Sequence, residues 1–381
     1  MIMIPVNEPL FLGNEKKYLC DCIDSGWISS DGPYVKKFES EFAKYIGMNH
    51  GIAVSNGTAS IETALYALGI KENDEIIMPS FTIISCAVAA LRLGAKPVLA
   101  DIEPETWNID INQIEKKITE KTKVIMPVHI YGHSADMDPI MKLAEKYNLK
   151  VLEDAAEVHG AEYKNKKCGS IGHISSFSFY ANKIISSGEG GMVLCNDDKF
   201  AELAKSYRNL CFKPERRFWH TELGYNFRMT NLQAAVGLAQ LEKIEEYIKI
   251  KREFGEYYRS KLCDISELKL QTEKNWAKTV YWMYAVELDS KLGVFSETVM
   301  KKLKTEGIDT RSFFIGLHEQ PVLKGLGLFK NESYPVTENA AKYGFYLPSG
   351  LGLKKEQIDF VCNALKKIIF QLRKISGNVL G

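Results

Sequence analysis

Several things this chain lacks narrow what it can be. Acidic and basic residues nearly cancel, leaving a formal net charge of +1 over 381 residues. A chain so balanced has no general electrostatic pull on nucleic acid or on an anionic membrane surface. No apolar run approaches the roughly 20 residues a membrane-spanning helix needs. Met1 to Leu10 lacks the charged-then-apolar layout of a secretory leader, so a cytoplasmic location is expected. The eight cysteines, at positions 20, 22, 86, 168, 195, 211, 263 and 362, show no paired metal-ligand spacing. Free, buried thiols and no bound metal are therefore expected. No internal repeat or low-complexity tract is visible, which argues against solenoids and disordered tails.

What is present reads as an ordinary soluble protein, 45% apolar and 25% charged, and too long for one usual domain. Short apolar runs alternate with helical patterns. His50 to Val54, Glu75 to Met78, Pro97 to Asp101, Val124 to Val128, Val151 to Asp154, Ser175 to Tyr180 and Met192 to Cys195 read as strands. The helical stretches between them predict an α/β fold, a mostly parallel sheet covered on both faces. One long amphipathic helix is expected from Asn231 to about Leu262. Beyond it the elements become fewer and longer, with a strand over Val280 to Leu288 and a closing helix over Glu356 to Leu372. The chain thus divides into a large domain, residues 1–261, and a small α+β domain, residues 262–381.

Three features carry chemistry. Asp154 ends a strand-like run, and Lys183 follows the next one in a loop closed by Gly188, Gly190 and Gly191. Strand ends of open α/β sheets are where ligands sit. Ser55-Asn56-Gly57-Thr58-Ala59-Ser60 opens a helix, whose free amides and dipole suit a phosphate, although hydroxyls there are also ordinary caps. The segment is neither GxGxxG nor GxxxxGK[ST], which argues against a dinucleotide fold and a P-loop. His129 ends another strand, as a ligand contact or as a satisfied structural histidine. A lysine can form a Schiff base, and a buried carboxylate can keep a pyridine nitrogen protonated. With a phosphate cradle these are the parts pyridoxal phosphate requires, though any α/β protein holds such pairs.

The chain also resembles a known family. Ser55-Asn56-Gly57-Thr58, Glu153-Asp154-Ala155-Ala156-Glu157, Phe177-Ser178-Phe179-Tyr180, Asn182-Lys183, Gly188-Glu189-Gly190-Gly191 and Gly224-Tyr225-Asn226-Phe227-Arg228-Met229 look like signatures of the DegT/DnrJ/StrS sugar aminotransferases. The likeness runs from Ile4-Pro5-Val6 to the final helix. It implies a fold-type I, pyridoxal-phosphate-dependent transferase working as a homodimer with a shared active site. Lys183 would bear the cofactor as a Schiff base and move protons, and Asp154 would pair with the pyridine nitrogen. Glu157, where many relatives carry glutamine, would approach the ring hydroxyl. Gly57, Thr58 and Ser178 would hold the phosphate, joined by Asn226 from the neighbouring subunit, and Ala59 would be a further cofactor-binding residue. Ile83 would lie over the ring where many relatives place an aromatic residue. His129, Arg311 and His318 match segments that line the sugar side. The lysine separates this chain from a branch with histidine there, which dehydrates its sugar. The resemblance implies a two-half reaction carrying the amino group of L-glutamate to a nucleotide-linked keto sugar. The run Asn182-Lys183 with Gly188 to Met192 most resembles the branch that aminates GDP-4-keto-6-deoxymannose at carbon 4, for surface polysaccharides. Another UDP- or dTDP-linked keto sugar, a small phosphorylated ketone, or a non-catalytic cofactor-binding regulator are the alternatives.

Overall fold

The computed structural model describes residues 3–213 and 215–377. The first nine strands are β1 (His50–Val54), β2 (Glu75–Pro79), β3 (Lys96–Ala100), β4 (Thr122–Ile125), β5 (Lys150–Asp154), β6 (Glu162–Tyr163), β7 (Lys166–Lys167), β8 (Ile174–Ser178) and β9 (Gly191–Cys195). Seven of them form one sheet in the order β1-β9-β8-β5-β4-β2-β3. Pairing is parallel from β8 through β3, and β9 runs antiparallel to both β1 and β8. This is the expected mostly parallel sheet. Every residue of β2, β8 and β9 is buried, as befits strands covered on both faces. The helix Gly57–Ala67 explains its own composition in the same way. Eight of its eleven residues are buried, so it carries no broad polar face.

The C-terminal part adds β10 (Leu268–Leu270), β11 (Ala277–Lys278), β12 (Tyr284–Leu288), β13 (Arg311–Ser312) and β14 (Gly344–Leu347). Four of these make an antiparallel sheet, β10-β12-β14-β13. A second core gathers on it, with Tyr258, Leu262, Val286, Phe345 and Leu365 among its members. The first core reaches across to take in Trp282, Phe313, Leu317 and Tyr346. Among the described residues, no helix is long and apolar enough to cross a membrane, and no cluster of His, Cys, Asp or Glu is arranged to hold a metal ion.

Four elements differ from expectation. The long helix is two, Asn231–Leu241 and Ile244–Leu262, parted at Glu242 and Lys243. No Gly or Pro marks that break. Tertiary ties fix it instead, since Gln240 before it and Tyr247 after it both donate to the Leu10 carbonyl, at 2.9 and 3.1 Å. The strand expected over Val280 to Leu288 begins only at Tyr284. Tyr281 has φ +46° and Val280 donates to the Gly132 carbonyl at 3.0 Å, so the chain turns there before joining the sheet. β4 stops at Ile125, and Val128 makes only an isolated bridge to Asp154. The hairpin β6–β7 was not expected. Lys164 and Asn165 supply its turn with φ +47° and +65°, the double left-handed pattern of a tight hairpin.

Candidate active site

The parallel strands deliver their chemistry at one edge. Asp154 is the last residue of β5 and Ser178 the last of β8, while Gly57 follows β1, Ile83 follows β2 and Val128 follows β4. All five line a single cavity of about 690 Å³. Ligands of open α/β sheets bind at this carboxyl end. Lys183 reaches the same cavity from the loop after β8, and Arg311 and Tyr346 close it from the C-terminal sheet, opposite each other across β13 and β14.

The charged groups are buried together. Asp154 is 1% exposed; its Oδ1 accepts the Ala156 amide at 3.2 Å and its Oδ2 accepts the Cys86 thiol at 3.2 Å. Burial pushes this carboxyl above its ordinary value, while the Cys86 and Ala156 donors and the Lys183 charge favour its ionised form. Burial also pushes the Cys86 thiol well up, so it stays protonated and donates. Glu157 accepts the Tyr131 amide at 2.8 Å through Oε2, and its Oε1 lies 3.9 Å from Lys183 Nζ. Burial raises Glu157 to about 7, against the pull of Lys183. Lys183 moves the other way, because burial disfavours its ammonium and Glu157 and Asp154 only partly compensate. A lysine held below its ordinary value beside two carboxyls is what a nucleophilic amine and proton carrier needs.

The helix start fits an anion. Asn56 caps the helix, accepting the Ala59 amide at 2.9 Å, while Gly57 and Thr58 lie ahead of any intrahelical acceptor. A Cβ on Gly57 would fall 2.9 Å from the Ser178 Cβ and 3.1 Å from its Oγ, so glycine is what lets backbone and hydroxyl converge there. The Thr58 hydroxyl donates to Ser85 at 2.8 Å. A cradle of amides and hydroxyls, a buried carboxylate and a desolvated amine thus line one cavity. These are the three handles of pyridoxal phosphate, its phosphate, ring nitrogen and aldehyde.

Of the residues picked out in the sequence, Gly57, Thr58, Ala59, Ile83, Asp154, Glu157, Ser178, Lys183 and Arg311 come together here. Two histidines do not. His129 is fully buried away from the cavity, with Nδ1 accepting the Ala135 amide at 3.0 Å and Nε2 against Glu153 Oε2 at 3.0 Å. Glu153 also accepts the Gly169, Ile171 and Gly172 amides at 2.8, 2.7 and 2.5 Å. That network holds the loop before β8 against β5, and it uses both ring nitrogens of His129. His318 is 3% exposed and faces Glu338 at 3.3 Å and the Tyr334 ring. Neither His129 nor His318 lines the cavity, and both are packed against carboxylates. Asn226 lies outside its own chain's cavity, exposed, in a segment bound to the end of β1 by the Ser55 amide to the Phe227 carbonyl at 2.7 Å. Cys86, Tyr131 and Trp282 touch the charged groups without having been picked out. Cys86 sits in a helical stretch and Trp282 in what read as a strand, so neither position carried a local signal.

Comparison with known proteins shows the family. A match to the DegT/DnrJ/EryC1/StrS aminotransferase family spans residues 12–366. The chain is 42% identical over 369 residues to the GDP-perosamine synthase of Caulobacter vibrioides, covering 96% of this chain and 98% of that one. It is 40% identical over 364 residues to the GDP-perosamine synthase of Vibrio cholerae, with the same coverage. Among solved structures it superposes on Helicobacter pylori PseC, an aminotransferase involved in pseudaminic acid biosynthesis, at TM-score 0.92 and 25% identity over 97% of this chain and 100% of that one. The corresponding figures for S. venezuelae DesV are 0.88 and 29%, over 95% and 99%.

Proposed function

This chain belongs to the DegT/DnrJ/EryC1/StrS aminotransferase family and is a pyridoxal-phosphate-dependent sugar aminotransferase, and from that premise we propose what it aminates and with which residues. Its substrate is GDP-4-keto-6-deoxymannose, aminated at carbon 4 to GDP-perosamine with L-glutamate as donor, for surface polysaccharide. The observation that carries the site assignment is the convergence of Lys183, Asp154, Glu157 and the Gly57 cradle on one cavity at the carboxyl edge of the sheet.

When bound, pyridoxal phosphate supplies an aldehyde for amines and a ring that withdraws electrons. The rest is the chain's. Lys183 would hold the aldehyde through its amine and would serve as the proton carrier of the site. Asp154, kept in place by the Ala156 amide and the Cys86 thiol, would pair with the ring nitrogen and keep it protonated. Glu157 would approach the ring hydroxyl and, raised to about 7, could give or take a proton there. Gly57, Thr58 and Ser178 would hold the phosphate, with Asn226 of the partner subunit, Ala59 would stand beside them among the cofactor-binding residues, and Ile83 would meet the ring by aliphatic contact. Arg311 lines the substrate side. We assign residues 1–261 to the cofactor-binding domain and residues 262–381 to a smaller α+β domain.

A homodimer in the cytoplasm completes this reading. Its support is the apolar surface beside Asn226, where Phe218, Trp219 and Leu223 are 82, 57 and 88% exposed. The decisive assay supplies glutamate and a panel of GDP-, UDP- and dTDP-linked keto sugars to the holoenzyme. Preferred turnover of the GDP-linked 4-keto sugar is expected. Preference for another sugar would refute the substrate, and borohydride treatment that leaves Lys183 unmodified would refute the site.

A further inference from the structure

The amine of Lys183 lies on an aromatic face. Its Nζ is 3.9 Å from the centroid of the Trp282 ring, the same distance that separates it from Glu157 Oε1. Trp282 is 3% exposed and forms part of the cavity wall. The ring is held from several sides. Its Nε1–H donates to the Asn182 carbonyl at 2.7 Å, its own carbonyl accepts Lys251 Nζ at 2.7 Å, and it stacks on Tyr131 at 19° between planes. The Asn182 carbonyl takes a second donor, Asn7 Nδ2, at 2.9 Å. Trp282 thus grips the residue before Lys183 through its edge and receives the lysine's amine on its face.

An indole face attracts a cation through its quadrupole, more so where water is excluded. It does little for a neutral amine. The contact therefore works against the burial that drives Lys183 toward its neutral form. Resting on the function proposed above, such an enzyme has a stage in each cycle when its lysine is not bonded to the cofactor. A long, flexible ammonium in a roomy cavity must then be kept where it can transfer protons and rejoin the cofactor.

We propose that Trp282 is the seat of the free Lys183 amine, a positioning residue that holds the ammonium on its ring face, opposite Glu157, whenever Lys183 is released. The proton stays on Nζ while the ammonium is seated; the contact makes and breaks no covalent bond, and nothing is oxidised or reduced.

The test reads the amine itself in cofactor-free protein. Competitive acetylation across pH, with the Lys183 peptide quantified by mass spectrometry, gives the midpoint at which that amine titrates. Trp282→Leu is expected to raise its acid dissociation constant by about two- to thirtyfold, while Trp282→Phe keeps most of the wild-type value. Because a leucine at a buried site can fail to fold, a second series replaces tryptophan biosynthetically with mono-, di- and trifluorinated tryptophan. Fluorine weakens the ring's quadrupole while nearly conserving its shape, so the Lys183 midpoint should fall stepwise with fluorine number. A midpoint that stays flat across the fluorinated series overturns the proposal. So does a Trp282→Phe protein that titrates like folded Trp282→Leu, since the face would then be irrelevant. Failure of the aminotransferase reading would instead appear as an absence of amine transfer by wild-type holoenzyme, which this titration does not measure.

Discussion

Glu157 carries its carboxyl where burial and Lys183 pull in opposite directions. Burial prevails and lifts it to about 7 from the ordinary 4.5. A carboxyl whose folded value lies above its unfolded one binds its proton more tightly in the folded chain. Its contribution to stability is therefore present in full below about 4.5 and is lost as the pH rises through 7. In cofactor-free protein, Glu157→Gln should gain stability over wild type across that interval, by up to about 3 kcal/mol. Urea unfolding of both proteins at a series of pH values checks this, and a difference independent of pH would count against it. The same residue predicts a catalytic signature. Loss of its ionisation should remove or displace the limb of the kcat profile near pH 7, while Lys183→Ala should abolish transamination at every pH. Residue identity made Lys183 and Asp154 legible in the sequence, because each follows an apolar run at a strand end. It did not reveal Cys86 or Trp282. A thiol 68 positions from its carboxylate, and a ring 99 positions from its amine, become neighbours only through the fold.

The strands and the helix starts were more legible than the boundaries between longer elements. β1, β5 and β8 and the helix after β1 announce themselves through apolar runs bounded by polar and glycine residues, and these elements carry the cradle and the acid. The break at Glu242–Lys243 and the turn at Tyr281 left no mark, since both depend on contacts with distant backbone, at Leu10 and at Gly132. His129 shows the same limit from the other side. Its place after a strand left a ligand contact and a structural histidine equally open, and only the fold shows Glu153 and Ala135 meeting its two ring nitrogens. Two outcomes follow for these elements. Glu153→Ala would leave the amides of Gly169, Ile171 and Gly172 without their shared acceptor and strip His129 of its partner, so a loss of about 3–5 kcal/mol in unfolding free energy is expected. The cradle should behave differently. Gly57→Ala puts a methyl 2.9 Å from the Ser178 Cβ at the mouth of a helix, where it competes with a bound phosphate more than with the core. Equilibrium dialysis should show cofactor affinity falling by about tenfold or more, with a cost to folding of about 1–3 kcal/mol. Unchanged affinity in a folded Gly57→Ala protein would take the phosphate away from this helix.

The whole molecule raises a question that one chain cannot answer within itself, because Asn226 is exposed and outside its own cavity while the residues it should assist line that cavity. The segment bearing it is fixed to β1, so it cannot swing inward without breaking the Ser55–Phe227 bond and the Val54–Arg228 bridge. If Asn226 serves a site, the site belongs to a second copy, and the exposed Phe218, Trp219 and Leu223 are the surface on which that copy would rest. Two-fold symmetry then gives two equivalent sites, each built from both subunits. This arrangement can be tested by complementation. Lys183→Ala and Asn226→Ala chains each spoil a different half, so a mixed dimer holds one site with both defects and one with neither. Unfolding and refolding the two together should restore about a quarter of wild-type turnover at limiting cofactor, as random pairing predicts. Lys183→Ala mixed with Asp154→Ala should restore none, because both of those residues act within the same chain. No restored turnover in either mixture would put Asn226 in the site of its own chain, and Asn226→Ala chains with full turnover by themselves would place Asn226 outside the site and leave the exposed aromatic surface without a catalytic purpose.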